Sequence, residues 1–128
     1  MATIKSYTDL SQSKVLAEIL SPESADMCYL SEESLFPKVN YNGMVFFNSE
    51  EEKPSTIIPC WSLASLLELL PKRLEIIDNV YKLSVYLYGL YYWNINNGNL
   101  CFESKDKDNL VDACYEAIVF LHEQKLSL

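Results

Sequence analysis

The side chains best suited to nucleophilic or metal chemistry are one histidine and four scattered cysteines in 128 residues. Any histidine-based mechanism would have to use His122. A catalytic partner would then have to lie within hydrogen-bonding distance of it. Cys114 lies about two helical turns away on the same predicted helix, too far for a direct bond. His122 also falls in the last helical turn, where a cationic imidazole interacts favourably with the helix dipole. We therefore interpret it as a helix-end residue and assign no catalytic residue.

The cysteines have the spacing of neither a metal site nor a redox motif. There is no CxxC pair and no histidine beside a cysteine, so the sequence does not support a zinc site. The N-terminal residues contain no apolar signal segment, which predicts a reducing compartment. We predict no metal, no cofactor and four unpaired thiols: Cys28, Cys60, Cys101 and Cys114.

Carboxylates are plentiful, and one group of them has the chemistry to attract a hard cation. Glu103, Asp106 and Asp108 are close together in the sequence, and calcium prefers oxygen ligands of this kind. Their spacing matches no calcium-binding loop, and two lysines alternate with them. A solvated loop is the preferred interpretation. Phosphate-loop, dinucleotide and serine-hydrolase signatures are not found in the sequence.

Composition and charge narrow the class of protein. An apolar fraction of 49% and a charged fraction of 22% are ordinary for one globular domain of this length. The net charge of −8 argues against non-specific nucleic-acid binding, which requires Lys and Arg to neutralise phosphates. No apolar run is long enough to span a membrane. We predict a single cytoplasmic domain over residues 1–128, with neither a nucleic-acid partner nor a membrane span.

The most apolar helical segment is Ile58–Pro71, which reads IPCWSLASLLELLP. Pro59 suits the first helical position, and Pro71 marks the end of the predicted helix. The leucines between them recur at helical spacing and predict a buried face. Trp61 lies beside this face. It either packs in the core with its indole N–H bonded or stays half exposed as a contact residue.

Two further helices are predicted from their caps and apolar spacing. The first runs from Asp9 to Leu20, with Gln12 completing a capping box. The last begins at Asp108 or Asn109 and continues to about residue 123. The three helices are predicted to bury Leu16, Leu63, Leu67, Ile118 and Leu121.

Strand signals predict two hairpins and one short strand. A short strand is predicted over Met27–Leu30, and the first hairpin over Leu35–Asn48 around the dipeptide Asn42-Gly43. The second hairpin begins with one long alternating strand, Tyr81–Ile95, and turns at Asn97-Gly98. The predicted fold is therefore α+β, with an antiparallel sheet built from hairpins packed against about three helices.

The register of the second hairpin divides its side chains between two faces. It places Trp93 opposite Phe102 on an apolar face that also carries Leu87, and it directs three tyrosines to the other side. That tyrosine face is either covered by a helix of the same domain or open to a partner. Together with the tryptophan of the central helix, it forms the candidate interaction surface: Tyr86, Tyr88, Tyr92 and Trp61.

Three segments resemble a group of small uncharacterised proteins from gut anaerobic bacteria, often encoded near phage or mobile-element genes. The segments are SADM at Ser24–Met27, IPCWSLASLLELLP at Ile58–Pro71 and NLVDACYEAIVFLHEQ at Asn109–Gln124. The resemblance spans most of the chain. It implies a cytoplasmic α+β domain and carries over no catalytic residue.

Three functions are compatible with these observations. The leading hypothesis is a non-enzymatic protein-interaction module that binds an unknown protein through the tyrosine face. The second is an acidic decoy that binds a basic or DNA-binding host protein by imitating phosphate charge. The third, ranked lowest because no motif supports it, is a small enzyme that uses carboxylates.

Overall fold

The computed structural model describes residues 5–39, 57–105 and 108–126. Within these ranges the chain forms three α-helices and two antiparallel sheets, which confirms the predicted α+β class. The helices are α1 (Leu10–Ile19), α2 (Leu63–Leu69) and α3 (Leu110–Glu123), with a 3₁₀ turn at Pro22–Ser24. The strands are β1 (Met27–Tyr29), β2 (Lys38–Val39), β3 (Ile58–Cys60), β4 (Arg73–Ile76), β5 (Asn79–Tyr86), β6 (Gly89–Asn94) and β7 (Leu100–Glu103).

The smaller sheet has the strand order β2-β1-β3. Its middle strand is the short strand predicted after the first helix. The first predicted hairpin contributes β2, which pairs with β1 so that Val39 lies opposite Met27. The predicted turn at Asn42-Gly43 lies outside the described residues. The prediction of one sheet containing both hairpins is wrong, because β2 belongs to this separate sheet.

The predicted start of the central helix is a strand instead. Residues Ile58–Cys60 pair with β1, and Pro59 lies opposite Cys28. In the sheet as described, β3 is an edge strand, the position in a sheet where proline is tolerated. The helix begins after Ser62, whose Oγ accepts a hydrogen bond from the Ser65 N–H at 3.2 Å. Its end before Pro71 is as predicted.

The later start gives α2 seven residues and a different buried face. Leu66 and Leu70 are fully buried, whereas Leu63 and Leu67 are only partly buried against the same core. The predicted burial of Leu63 and Leu67 is therefore confirmed only in part. In a helix this short, the two leucines four residues apart take the centre of the interface.

Helix α3 is the most buried of the described helices. Its bounds and its inward face are as predicted. Asn109 caps it by accepting a hydrogen bond from the Asp112 N–H at 2.9 Å. Small residues on its inner face let the helix approach both α1 and the four-stranded sheet closely. Its buried side chains are Val111, Ala113, Cys114, Ala117, Ile118 and Leu121.

The first helix also forms as its sequence indicates. Asp9 accepts from the Gln12 N–H at 2.8 Å, and the Gln12 side chain accepts from the Asp9 N–H at 3.1 Å. This reciprocal pair is the predicted capping box. Leu16 is buried in the common core, as predicted.

The larger sheet has the order β4-β5-β6-β7, and it overturns the long-strand prediction. The predicted strand Tyr81–Ile95 is two strands, which reverse at Leu87 and Tyr88 so that Tyr86 lies opposite Gly89. A two-residue turn pairs odd with even positions across the hairpin. Leu83 therefore pairs with Tyr92, and the two share one face of the sheet.

The connection between β6 and β7 is longer than predicted. Gly98 does adopt the positive φ that the turn signal indicates, at +76°. Asn94, however, ends β6 early because its side-chain oxygen accepts the N–H groups of Asn96 and Asn97 at 2.8 and 3.2 Å. An irregularity in the ladder then pairs Tyr92, rather than Trp93, with Phe102.

A polar cluster joins the N-terminal segment to two helices. Lys5 Nζ donates to Asp112 Oδ1 at 2.7 Å, to Gln12 Oε1 at 2.9 Å and to Asp9 Oδ2 at 3.1 Å. Burial acts to raise the pKa of Asp112, but hydrogen bonds from Lys5, Gln12 and Asn109 outweigh it and leave the pKa lowered. The cluster therefore holds α1 and α3 together through a partly buried ion pair.

We expect Asp112→Asn to lower the free energy of unfolding by about 1–2 kcal/mol at pH 7. A carboxylate whose pKa is lowered by folding stabilises the fold above its unfolded pKa and loses that contribution as pH falls through the folded value. The gap between variant and wild type should shrink below about pH 4. Urea denaturation across a pH series measures it, with the exposed Glu18→Gln as control. An equal gap at pH 3 and pH 7 would exclude the ion pair as its cause.

We expect Leu66→Ala to cost about 2–5 kcal/mol of unfolding free energy, because the side chain is completely buried. Leu67→Ala, one position along and only partly buried, should cost roughly half as much. Chemical denaturation of both variants measures the difference. Equal losses would mean that the buried face of α2 is assigned incorrectly.

Candidate interaction surface

The four-stranded sheet has an inner face covered by helices and an outer face turned away from them. Leu74, Leu83, Leu90 and Tyr92 share one core cluster with buried side chains of all three helices. Cross-strand register and period-two alternation place these residues on one face, which we call the inner face. The remaining strand positions form the outer face.

Aromatic side chains follow one another across the outer face. Tyr86 and Tyr91 approach with ring centroids 6.2 Å apart and an interplanar angle of 41°. Trp93 lies in the neighbouring cross-strand row, and its Nε1 donates to Ser84 Oγ at 3.0 Å. Tyr86 is 49% exposed, while Tyr91 and Trp93 are half-buried. The outer face thus presents large, ordered apolar area with polar tips, and within residues 5–39, 57–105 and 108–126 the helices pack on the inner side.

Charges on the outer face are mixed. Lys82 pairs across the sheet with Arg73 on one side and Trp93 on the other. Arg73 forms an exposed ion pair with Glu75 at 3.3 Å. Glu103, opposite Tyr91, adds a negative charge on β7. The face therefore combines aromatic rings with both signs of charge, rather than a single-sign field.

Gly89 allows the Tyr86 ring to lie over the start of β6. A Cβ at this position would overlap the Tyr86 ring and hydroxyl as well as Ser104 Oγ. Covering of a strand glycine by an aromatic ring is a known way of stabilising a sheet. Gly89 directly follows the β5–β6 turn, so it is the residue in the sequence that could have located that turn.

Two of the four predicted surface residues are accessible. Tyr86 lies on the outer face, and Tyr88, 43% exposed, lies in the turn beside it. Leu87, predicted to face inward with Trp93, is 74% exposed in the same turn. The structure brings Tyr86 and Tyr88 to one end of the sheet, next to the aromatic rings of β6.

The other two predicted residues are core and cannot touch a partner in this fold. Tyr92 has no exposed area, and its hydroxyl donates to the Pro71 carbonyl at 2.7 Å. Trp61 is also fully buried, with its indole N–H donating to Ser24 Oγ at 2.9 Å. Placing them on the interaction surface was wrong. For Tyr92 the reason is the reversal at residues 87–88, which turns the even positions of β6 inward.

Sequence reasoning missed Tyr91 as a surface residue and assigned Trp93 to the core. Both errors follow from the same reversal of odd and even positions. The paired tyrosines and the tryptophan are readable as an aromatic group only once β5 and β6 are recognised as a hairpin.

A buried polar cluster elsewhere satisfies its own hydrogen bonds. Thr8 Oγ1 lies 2.8 Å from Ser13 Oγ and accepts the Trp61 N–H at 3.2 Å. The Thr8 carbonyl accepts from the Tyr29 hydroxyl at 2.9 Å and from the Cys60 thiol at 3.4 Å. Burial raises the pKa of Cys60, although hydrogen bonds with the side chains of Thr8, Ser13 and Tyr29 act to lower it. The thiol therefore stays protonated and is a poor nucleophile. The cluster instead links the N-terminal segment to α1, β1 and β3 by hydrogen bonds.

The four cysteines are free, as predicted. Burial raises the pKa of Cys114 to about 12, so that thiol also remains protonated in the core. The histidine lies at the exposed end of α3, as predicted, and lines a cleft of about 260 Å³ with Ser21 and Ser24. Among the described residues, no group of three or more His, Cys, Asp or Glu is placed to hold a metal ion. Asp106 of the acidic sequence cluster lies outside them.

No family model, curated protein or solved structure is significantly similar to this chain. Within the part of the chain that the structure describes, none of the helices has the length and apolar character needed to cross a membrane.

We expect Tyr92→Ala to cost about 3–5 kcal/mol of unfolding free energy, because it empties a buried aromatic site. The matched variant Tyr88→Ala removes the same atoms from an exposed turn and should change stability by no more than about 0.5 kcal/mol. Thermal or chemical denaturation compares the two. A larger loss for Tyr88→Ala than for Tyr92→Ala would mean that the buried and exposed tyrosines are assigned incorrectly.

Proposed function

We propose that this protein is a non-enzymatic protein-interaction module that binds a folded partner through the outer face of its four-stranded sheet. The observation that carries the proposal is the ordered aromatic group of Tyr86, Tyr91 and Trp93 on that face. Tyrosine and tryptophan supply large contact area with few rotatable bonds and are enriched where proteins bind one another.

The composition of the face favours a protein partner over other partners. A group of aromatic rings flanked by Lys82 and Glu103 offers both apolar contact and charges of either sign. Nucleic acid would meet a chain of net charge −8, which opposes binding to phosphates. The side chains of Tyr86, Tyr91 and Trp93 are held by a ring contact and a hydrogen bond, so they lose little freedom when they bind another folded surface.

Free thiols at all four cysteines support a cytoplasmic location for this module. Origin in a phage or other mobile element, which the sequence resemblance implies, is part of the same proposal. The enzyme hypothesis gains no support at the cleft beside Lys5, where titratable side chains lie close together. There Lys5 is engaged by Asp112 and Asp9 in a structural ion pair.

Site-specific photo-cross-linking tests the proposal directly. A photoreactive phenylalanine analogue replaces Tyr86 in cells of the native host, and the same analogue replaces Val15 on α1 as a matched exposed control. We expect one defined adduct from position 86 and none from position 15. Excess wild-type protein should suppress this adduct, and Tyr86→Lys protein should compete at least about tenfold less well.

Two results would contradict the proposal. One is the absence of any adduct from position 86, and the other is the same adduct from both positions. A partner whose capture ignores Tyr86→Lys but disappears between about 0.15 and 0.5 M salt would instead favour the acidic decoy, whose attraction is long-range and screened.

A further inference from the structure

An apolar groove lies between β7 and α3, on the inner side of the four-stranded sheet. Its volume is about 320 Å³. Two rings in tilted contact line it, since the centroids of Phe102 and Phe120 are 4.8 Å apart at an interplanar angle of 34°. Both rings pack on the core yet remain partly exposed. The residues that line the groove are Phe102, Tyr115, Glu116, Val119, Phe120 and Glu123.

Beside the groove, β7 is an edge strand of the larger sheet among the residues that the structure describes. In the described ranges its one strand neighbour is β6. The Ser104 N–H donates to the Leu90 carbonyl at 3.0 Å, so the backbone groups of Ser104 point toward β6. Antiparallel pairing alternates, and the N–H and C=O of Glu103 therefore point away from the sheet. An edge of this kind is a template for an added strand.

The rim of the groove is acidic. Glu123 is exposed at the end of α3, and Glu116 lies two helical turns before it. Glu116 Oε2 accepts the Lys105 N–H at 3.4 Å, which orients the carboxylate near the end of β7. With Glu103 on the strand itself and a net charge of −8 over the chain, the charge complement is a basic ligand.

We propose that the groove and the β7 edge together bind an extended peptide segment of a partner protein, in which a large apolar residue alternates with Lys or Arg. The peptide backbone pairs with the outward groups of Glu103. Because side chains alternate across a strand, the apolar residue enters the groove over Phe102 and Phe120, and its neighbours point to the opposite side near Glu103. The Lys or Arg residues therefore lie on the side of Glu103, and the carboxylates of Glu116 and Glu123 at the rim add attraction at longer range.

This inference shares Glu103 with the proposed function, but its groove lies on the other face of the sheet, and it does not depend on that function. The outer-face aromatics suit a folded surface, whereas the groove accepts a single extended chain. A Tyr86→Lys variant should therefore bind the peptide as wild type does, which separates the failure of one proposal from that of the other.

Fluorescence anisotropy with a defined probe tests the inference. The probe is a fluorescein-labelled peptide of alternating lysine and valine with one central phenylalanine, blocked at both ends. We expect saturable binding to the wild-type chain that weakens with salt. Methylating the alternate backbone nitrogens that would pair with β7 should weaken binding at least about tenfold, because it removes donors and leaves the side chains unchanged.

Protein variants locate the site. Val119→Lys places a charge in the groove and should weaken binding at least about tenfold, with circular dichroism as the check on folding. Glu123→Lys, at an exposed position, should weaken binding by about three- to tenfold through loss of charge attraction and serves if Val119→Lys does not fold.

Three outcomes would overturn the inference. The first is no binding up to about 1 mM peptide. The second is equal binding of the methylated peptide. The third is equal binding of a peptide in which serine replaces every apolar residue, since that would show charge attraction alone.

Discussion

The structure depends on the two-residue reversal at Leu87 and Tyr88. A turn of two residues pairs odd positions of one strand with even positions of the next, so it decides which side chains of β6 meet the helices. Here it places Tyr92 in the core opposite Leu83 and leaves Tyr91 on the outer face. A shift of one residue would exchange them, burying Tyr91 and exposing the side chain that now fills the core. The strong cost of that exchange fixes the register.

The core that enforces this choice is centred on α3. Its alanines at positions 113 and 117 and its cysteine at 114 are fully buried, which allows the backbone to lie close to its neighbours. Leu66 of α2 and Leu16 of α1 fill the space on the helix side, and Leu90 and Tyr92 fill it from the sheet. Close packing of this kind tolerates little change of volume, so it holds the inner face of the sheet in one arrangement.

Local signals predicted the elements whose own residues determine them. The capping box of Asp9 and Gln12 and the asparagine cap of α3 act within one helical turn, and both helices formed where expected. The turn at Leu87 and Tyr88 contains no glycine, asparagine or proline of its own, and Gly89 directly after it is the one break in the alternation. Pro59 fits either a helix start or an edge strand, and pairing with distant β1 decides between them.

The candidate surface was predictable where exposure depends on the local turn, and unpredictable where it depends on distant contacts. Tyr86 and Tyr88 are exposed because they flank a turn, and a tyrosine-rich hairpin is visible in the sequence. Trp61 and Tyr92 are buried, and their polar atoms bond to Ser24 and Pro71, which are distant in the chain. Period-two or helical spacing cannot reveal such distant contacts. The aromatic group on the outer face and the groove beside β7 both arise from tertiary contacts between segments that are separated in sequence.

The two tryptophans report the central assignment of faces most directly. Trp61 is fully buried, whereas Trp93 is half-buried on the outer face. Acrylamide quenching of the single-tryptophan variants Trp93→Phe and Trp61→Phe measures the accessibility of each indole separately. The account predicts that Trp93 is quenched several times more strongly than Trp61 in the native state and that the difference vanishes on unfolding. Equal protection of both indoles, or stronger quenching of Trp61, would contradict it.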